Sequence, residues 1–130
     1  MPGGWYISGY SFTPDHPAYD IAPDPRNSHY GCALKPGVVL HSGPDTRTIL
    51  AEHPEWDRGL YVELEHDDGS RSRYCHAARL TVIQSETVLG GQPLGVMGET
   101  GAARGKHWHI AMVDKDGVPV DWITEAGWAT

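Results

Sequence analysis

The feature that most constrains this chain is a hairpin written into residues 60–76. Leu60, Val62 and Leu64 alternate with Tyr61, Glu63 and Glu65. Strand side chains point to opposite faces in turn, so this pattern builds a strand with one buried face. Asp67-Asp68-Gly69-Ser70 follows, which is hairpin-turn chemistry, and residues 71–76 return antiparallel. Regular alternation in the return strand puts Tyr74 and His76 on one face, with Arg73 and Cys75 on the other. Other short alternating runs, with 16 Gly and 10 Pro, extend the reading to the whole chain. The predicted class is all-β, a compact antiparallel domain rich in turns.

The remaining segments fit that frame. Residues 5–12 read as a first strand. Prolines 14, 17 and 23 exclude a helix over 13–23, which reads as an extended or turning segment carrying His16 and Asp20. Residues 25–30 are polar turn material. Residues 32–41 read as a strand kinked at Lys35-Pro36-Gly37. A long loop follows over 42–58, with two helical turns over 47–53 that Pro54 stops. Residues 80–88 form a connection and 90–98 a short strand between glycines. A Gly-rich loop, 99–106, leads into a strand over 106–113. Asp114-Lys115-Asp116-Gly117 is a second hairpin turn, and 118–122 the last strand.

At 130 residues the chain reads as one domain, 1–130, able to bury a core without staples. Ten Lys and Arg stand against 17 Asp and Glu, with no basic stripe, which argues against a nucleic-acid partner. No apolar run reaches the ~18 residues of a membrane span, and the first residues carry no signal-peptide pattern. Cys32 and Cys75 are too few for a disulfide framework and read as free thiols, though they could pair. A monomer is expected.

Eight histidines are the compositional hint of metal chemistry. His107 and His109 stand two apart in the 106–113 strand and share a face, while Trp108, Ile110 and Met112 take the buried one. Neutral imidazole is the commonest protein metal ligand, but a His-x-His pair alone is a weak signal. His16 and Asp20, four apart on a Pro-constrained segment, complete a set with His109. Two imidazoles and a carboxylate form a common catalytic zinc set that leaves a fourth position open. His107, ~7 Å along the strand from His109, is either a fourth ligand or a group that binds substrate oxygen or shuttles a proton. His76 is the second candidate for that shuttle. His66, phased with Val62 and Leu64, is expected to pack or hydrogen-bond, and His29, His41 and His53 to have no metal role.

Five motifs then fall in one order: His-x-x-x-Asp at 16–20, the Gly-x-Tyr-Val-x-Leu-x-His-x-Asp-Gly hairpin at 59–69, Tyr-x-His at 74–76, Gly-Gln-Pro-Leu-Gly-x-x-Gly-x-Thr-Gly at 91–101, and His-x-His at 107–109. In that order and spacing the chain resembles the lysostaphin-like (LytM-type) zinc endopeptidases, which cut peptide bonds in bacterial peptidoglycan. The resemblance covers roughly residues 9–121. It implies a twisted antiparallel sheet with loops walling a narrow groove. It implies one Zn²⁺ held by His16, Asp20 and His109, and His76 and His107 as the catalytic histidines. It implies groove walls from the 43–58 loop with Trp56 and the 99–106 loop with Thr100, and Tyr74 beside them. The departures are Ala18 where the family has Gly, Ala77 where it has Leu, residues 103–106 in place of Ser-Thr-Gly-Pro, and Ile110-Ala111 in place of Phe-Glu. None removes a metal or catalytic group.

Two other functions compete. A non-catalytic LytM-like binding or activator module would have lost metal ligands, and this chain keeps all five groups. A cupin-like oxygenase also uses His-x-His. It wants a Glu shortly after the pair and a later His, whereas Asp114 is the first carboxylate after His109 and no His follows. No His-Glu-x-x-His helix is present either, so histidine must do the acid–base work. The expected partner is a peptidoglycan peptide at the bacterial cell wall. Phage delivery, or excision from a longer secreted protein, would bring the domain there. Whether a polyglycine bridge or a D-Ala–diaminopimelate link is cut stays open.

Overall fold

The structure, a computed structural model, describes residues 5–7, 18–23, 30–98, 100–101 and 108–122; for 5–7, 18–23 and 108 the description is of the backbone. Among the described residues, nine strands form one curled antiparallel sheet, a half-barrel. They are β1 Trp5–Ile7, β2 Ala18–Pro23, β3 Tyr30–Cys32, β4 Gly37–Pro44, β5 Leu60–Glu65, β6 Arg71–Leu80, β7 Thr87–Val88, β8 Pro93–Met97 and β9 Trp108–Val113. The order across the sheet is β1-β2-β9-β6-β5-β4-β7, with β8 also on β6 and β3 on β8.

The hairpin is the centre of this sheet. β5 and β6 pair from Glu65↔Arg71 to Leu60↔Ala77. On its other side β6 changes partner along its length. Arg71 to Cys75 pair with β9, and Ala77 to Leu80 pair with β8. β8 and β9 therefore meet the β6 edge on either side of His76.

The buried face is the one alternation selects. Val62, Leu64, Tyr74 and Ile110 are fully buried and join Leu94 and Met97 in one core. Each such aliphatic side chain stabilises the fold by about 1.5–3 kcal/mol through burial. Trp122 closes the core, its indole N–H donating to the Ile110 carbonyl at 2.9 Å.

The 13–23 segment, read as extended or turning, is a strand, β2, over Ala18–Pro23. Other segments depart from the sequence-based expectation. The kinked 32–41 strand is two strands, β3 and β4, which pair with different neighbours. The helical turns over 47–53 are one 3₁₀ turn, Thr48–Ala51, and a second, Pro54–Trp56, follows it. Pro54 opens the second rather than only stopping the first, because a missing N–H costs nothing at that position. The 118–122 strand shrinks to one bridge, Val113↔Pro119. Asp114 N–H to Val118 O and Val120 N–H to Met112 O flank that bridge.

Candidate active site

His109 is half-buried on β9. Its register neighbours are Asp20 on β2 and Cys75 on β6, so the three form one row across three strands. Paired residues in antiparallel strands have Cα atoms about 4.5–5.5 Å apart, within reach of one shared ion. His16, His107 and the Asp20 side chain lie outside what the structure describes. Among the described residues no three His, Cys, Asp or Glu side chains gather. The donor chemistry of this row, an imidazole beside a carboxylate position, suits zinc.

His76 reaches the same place by a break in the strand. Val62 faces Tyr74 and Leu60 faces Ala77, so Tyr61 alone stands opposite both Cys75 and His76. This is a β-bulge, and His76 takes the left-handed conformation, φ 72°. The bulge overturns the regular phasing of the return strand. Tyr74 and Ala77 both point to the core, while His76 turns away from Tyr74 and lies edge-on to His109, ring centroids 5.9 Å apart at 72°. Cys75 is a buried free thiol whose pKa burial pushes up to about 12, which makes it unreactive.

A left-handed non-glycine residue costs about 1–3 kcal/mol and persists only where its surroundings hold it. Here two carbonyls do so. The His76 N–H donates to Arg58 O at 2.8 Å, and the ring Nδ1 donates to Thr100 O at 2.7 Å. A carbonyl only accepts, so Nδ1 carries the hydrogen and the neutral ring has its lone pair on Nε2. That is the tautomer of a base that works through Nε2.

Thr100 is itself tied down. Its hydroxyl donates to Ala77 O at 2.6 Å and accepts from Leu60 N–H at 3.0 Å. Two glycines let this contact form. A Cβ on Gly59 (φ +63°) would collide with Thr100 Oγ1 and lie 2.5 Å from its carbonyl carbon. A Cβ on Gly101 (φ +73°) would collide with the Gly59 nitrogen and lie 2.5 Å from Asp57 O.

The 45–59 loop is organised by Asp45, whose side chain is fully buried. Its carboxylate accepts from Arg47 Nη2 at 2.8 Å, Arg47 Nε at 2.9 Å, Arg58 N–H at 3.1 Å and Arg47 N–H at 3.2 Å. The Arg47 guanidinium holds this carboxyl well below the usual carboxylate range. Asp45 thereby fixes Arg58, whose carbonyl holds His76. Trp56 sits exposed on this loop, stacked on His53 at 3.9 Å.

Tyr74 does not line a groove. It is fully buried, and its hydroxyl accepts from Leu34 N–H at 3.0 Å and lies 2.8 Å from Ser72 Oγ. Burial raises its phenol to about 12. His66 completes that row, with Nε2 2.7 Å from Ser72 Oγ and Nδ1 donating to Pro36 O at 2.7 Å. Sequence reasoning missed the bulge, the Arg58 and Thr100 carbonyls and the Asp45 anchor. The Gly-x-Thr-Gly run at 98–101 was the one available signal for part of it.

Residues 16–122 match Peptidase family M23. Over 83 residues, 64% of this chain, the sequence is 31% identical to peptidoglycan DD-endopeptidase ShyA of Vibrio cholerae. The chain spans 19% of the length of that relative. The fold is similar to the catalytic domain of the antimicrobial peptidase lysostaphin from Staphylococcus simulans, with TM-score 0.71 and 20% identity, covering 94% of this chain and 90% of that one. It is also similar to a zinc-containing peptidase from Vibrio cholerae, with TM-score 0.61 and 23% identity, covering 92% of this chain and 34% of that one. With a match that takes in nearly the whole sheet and the row of His109, the chain belongs to peptidase family M23.

Proposed function

We propose that this chain is a zinc-dependent endopeptidase that hydrolyses peptide bonds in bacterial peptidoglycan. The observation that carries the reading is the His76–His109 pair, edge-on at 5.9 Å, with Asp20 opposite His109 in the register. His16, Asp20 and His109 are the proposed ligands, and His76 and His107 the proposed catalytic histidines. When bound, Zn²⁺ supplies a polarising charge for the scissile carbonyl and lowers the pKa of a water beside it to ~7.

The chain's own groups supply the proton handling. His76 Nε2 accepts a proton from the attacking water and returns it to the leaving amine, while Nδ1–H stays on the Thr100 carbonyl. An orienting bond of this kind removes ring rotation from the reaction coordinate. The similarity to a DD-endopeptidase supports a stem-peptide cross-link as the bond cut.

Elemental analysis tests the metal assignment. One zinc per chain is expected in the wild type and in His76→Ala and His107→Ala, with the metal lost in His109→Ala. A His109→Ala variant that keeps stoichiometric zinc removes His109 from the ligand set.

A further inference from the structure

We infer that Thr100 is a positioning residue for His76, acting through its backbone carbonyl and held in place by its own hydroxyl. The inference rests on the reading of His76 as catalytic. It goes beyond the groove-wall role that the sequence suggests for Thr100.

Three observations combine. First, His76 sits where β6 exchanges β9 for β8. Second, Thr100 meets it there. Its carbonyl accepts from His76 Nδ1 at 2.7 Å, and its hydroxyl bridges Ala77 O and Leu60 N–H, one backbone atom from each strand of the hairpin. Third, Gly59 and Gly101 bring the 45–59 loop and residues 100–101 together with no room for a Cβ. The result is a clip. Arg58 O holds the His76 backbone from one loop, and Thr100 O holds its ring from the other.

The clip has a chemical consequence. Only a hydrogen on Nδ1 satisfies the Thr100 carbonyl, so the neutral ring is held in the Nδ1–H tautomer. In solution the two tautomers of imidazole interconvert. Loosening Thr100 releases that choice as well as the ring angle.

The test is ¹⁵N NMR of the histidine rings together with steady-state kinetics on a purified cross-linked muropeptide dimer. Wild-type protein should show His76 protonated at Nδ1 and not at Nε2. Thr100→Val keeps the branched shape and loses the hydroxyl. It should populate the Nε2–H tautomer and lower kcat on the order of 10²-fold, the loss typical of a slightly misplaced catalytic group. Its KM should stay within about threefold, because the lost hydroxyl bonds the hairpin backbone. Thr100→Ser should restore both the tautomer and kcat. An Nε2–H tautomer in the wild type overturns the inference whether or not any variant folds. So does a Thr100→Val protein with wild-type tautomer and kcat. A tautomer shift in Thr100→Val with full activity in His76→Ala would support the clip and overturn the catalytic reading.

Discussion

His66 and His76 stand at opposite ends of the same hairpin, and they differ in nearly everything that decides a histidine's use. His66 lies at the turn, 5% exposed, with both ring nitrogens engaged by Pro36 O and Ser72 Oγ. Burial lowers its pKa, so it stays neutral and structural. His76 lies at the open end, half-buried, in a left-handed bulge that two loop carbonyls hold. One nitrogen is anchored and the ring edge meets His109. The ladder around His66 is regular and the one around His76 is broken. A regular ladder places a side chain by alternation alone. A broken ladder aims a side chain only if something outside the strand holds it, as Arg58 O and Thr100 O hold His76.

Exchanging the fates of the two histidines gives the largest expected effects. His76→Ala should lower kcat by about 10²–10⁴-fold, the usual contribution of a general acid–base group, with little change in urea midpoint. His66→Ala should leave kcat of the folded protein unchanged. It should cost about 2–4 kcal/mol in urea unfolding, because it opens a cavity and strands Pro36 O and Ser72. Matching effects from the two variants would break the contrast.

A smaller effect follows from the Asp45 anchor. Asp45→Asn should cost about 1.5–3 kcal/mol, the range for hydrogen bonds to a charged group. It should also reduce kcat, since Arg58 loses its fix on the His76 backbone.

The pH dependence sharpens the His66 side. Its folded pKa lies below the unfolded value of ~6.5, so the unfolded chain binds the proton first as pH falls. Stability from this group is full above about pH 6.5 and declines below it until the native imidazole also protonates. Urea midpoints of metal-stripped protein between pH 7.5 and 5 should fall more steeply for wild type than for His66→Gln. Parallel curves would remove His66 as a source of acid sensitivity.

The smallest effect is expected at the turn itself. Lys35 and Asp68 pair at 3.3 Å with 38% and 64% of their side chains exposed. Lys35→Ala should change stability by less than about 0.5 kcal/mol, as for most exposed ion pairs.

The same contrast explains what the sequence reveals. Residues 60–65 alternate, and every apolar member of that pattern faces the core. The turn at Asp68–Gly69 and the burial of Ile110 and Met112 are equally legible, because each depends on near neighbours. The bulge at Cys75–His76 is not. A left-handed position normally announces itself with Gly, and here the residue is His, held by carbonyls 18 and 24 residues away in sequence. Tyr74 was misplaced for the same reason. Regular alternation puts it on the face of His76, but the bulge parts the two, and Ser72 and the Leu34 N–H meet its hydroxyl inside the core. The 47–53 segment has helical composition, yet it makes only one 3₁₀ turn, Thr48–Ala51, before Pro54. The last strand shrinks to the Val113↔Pro119 bridge, which alternation does not register.

Digestion of purified sacculi, followed by mass spectrometry of the released fragments, tests the central claim most directly. Wild-type protein should release peptides cut at one defined cross-link bond. His76→Ala, still carrying one zinc per chain, should release almost none. Wild-type release by zinc-loaded His76→Ala, or by wild-type protein stripped of metal, would contradict the account.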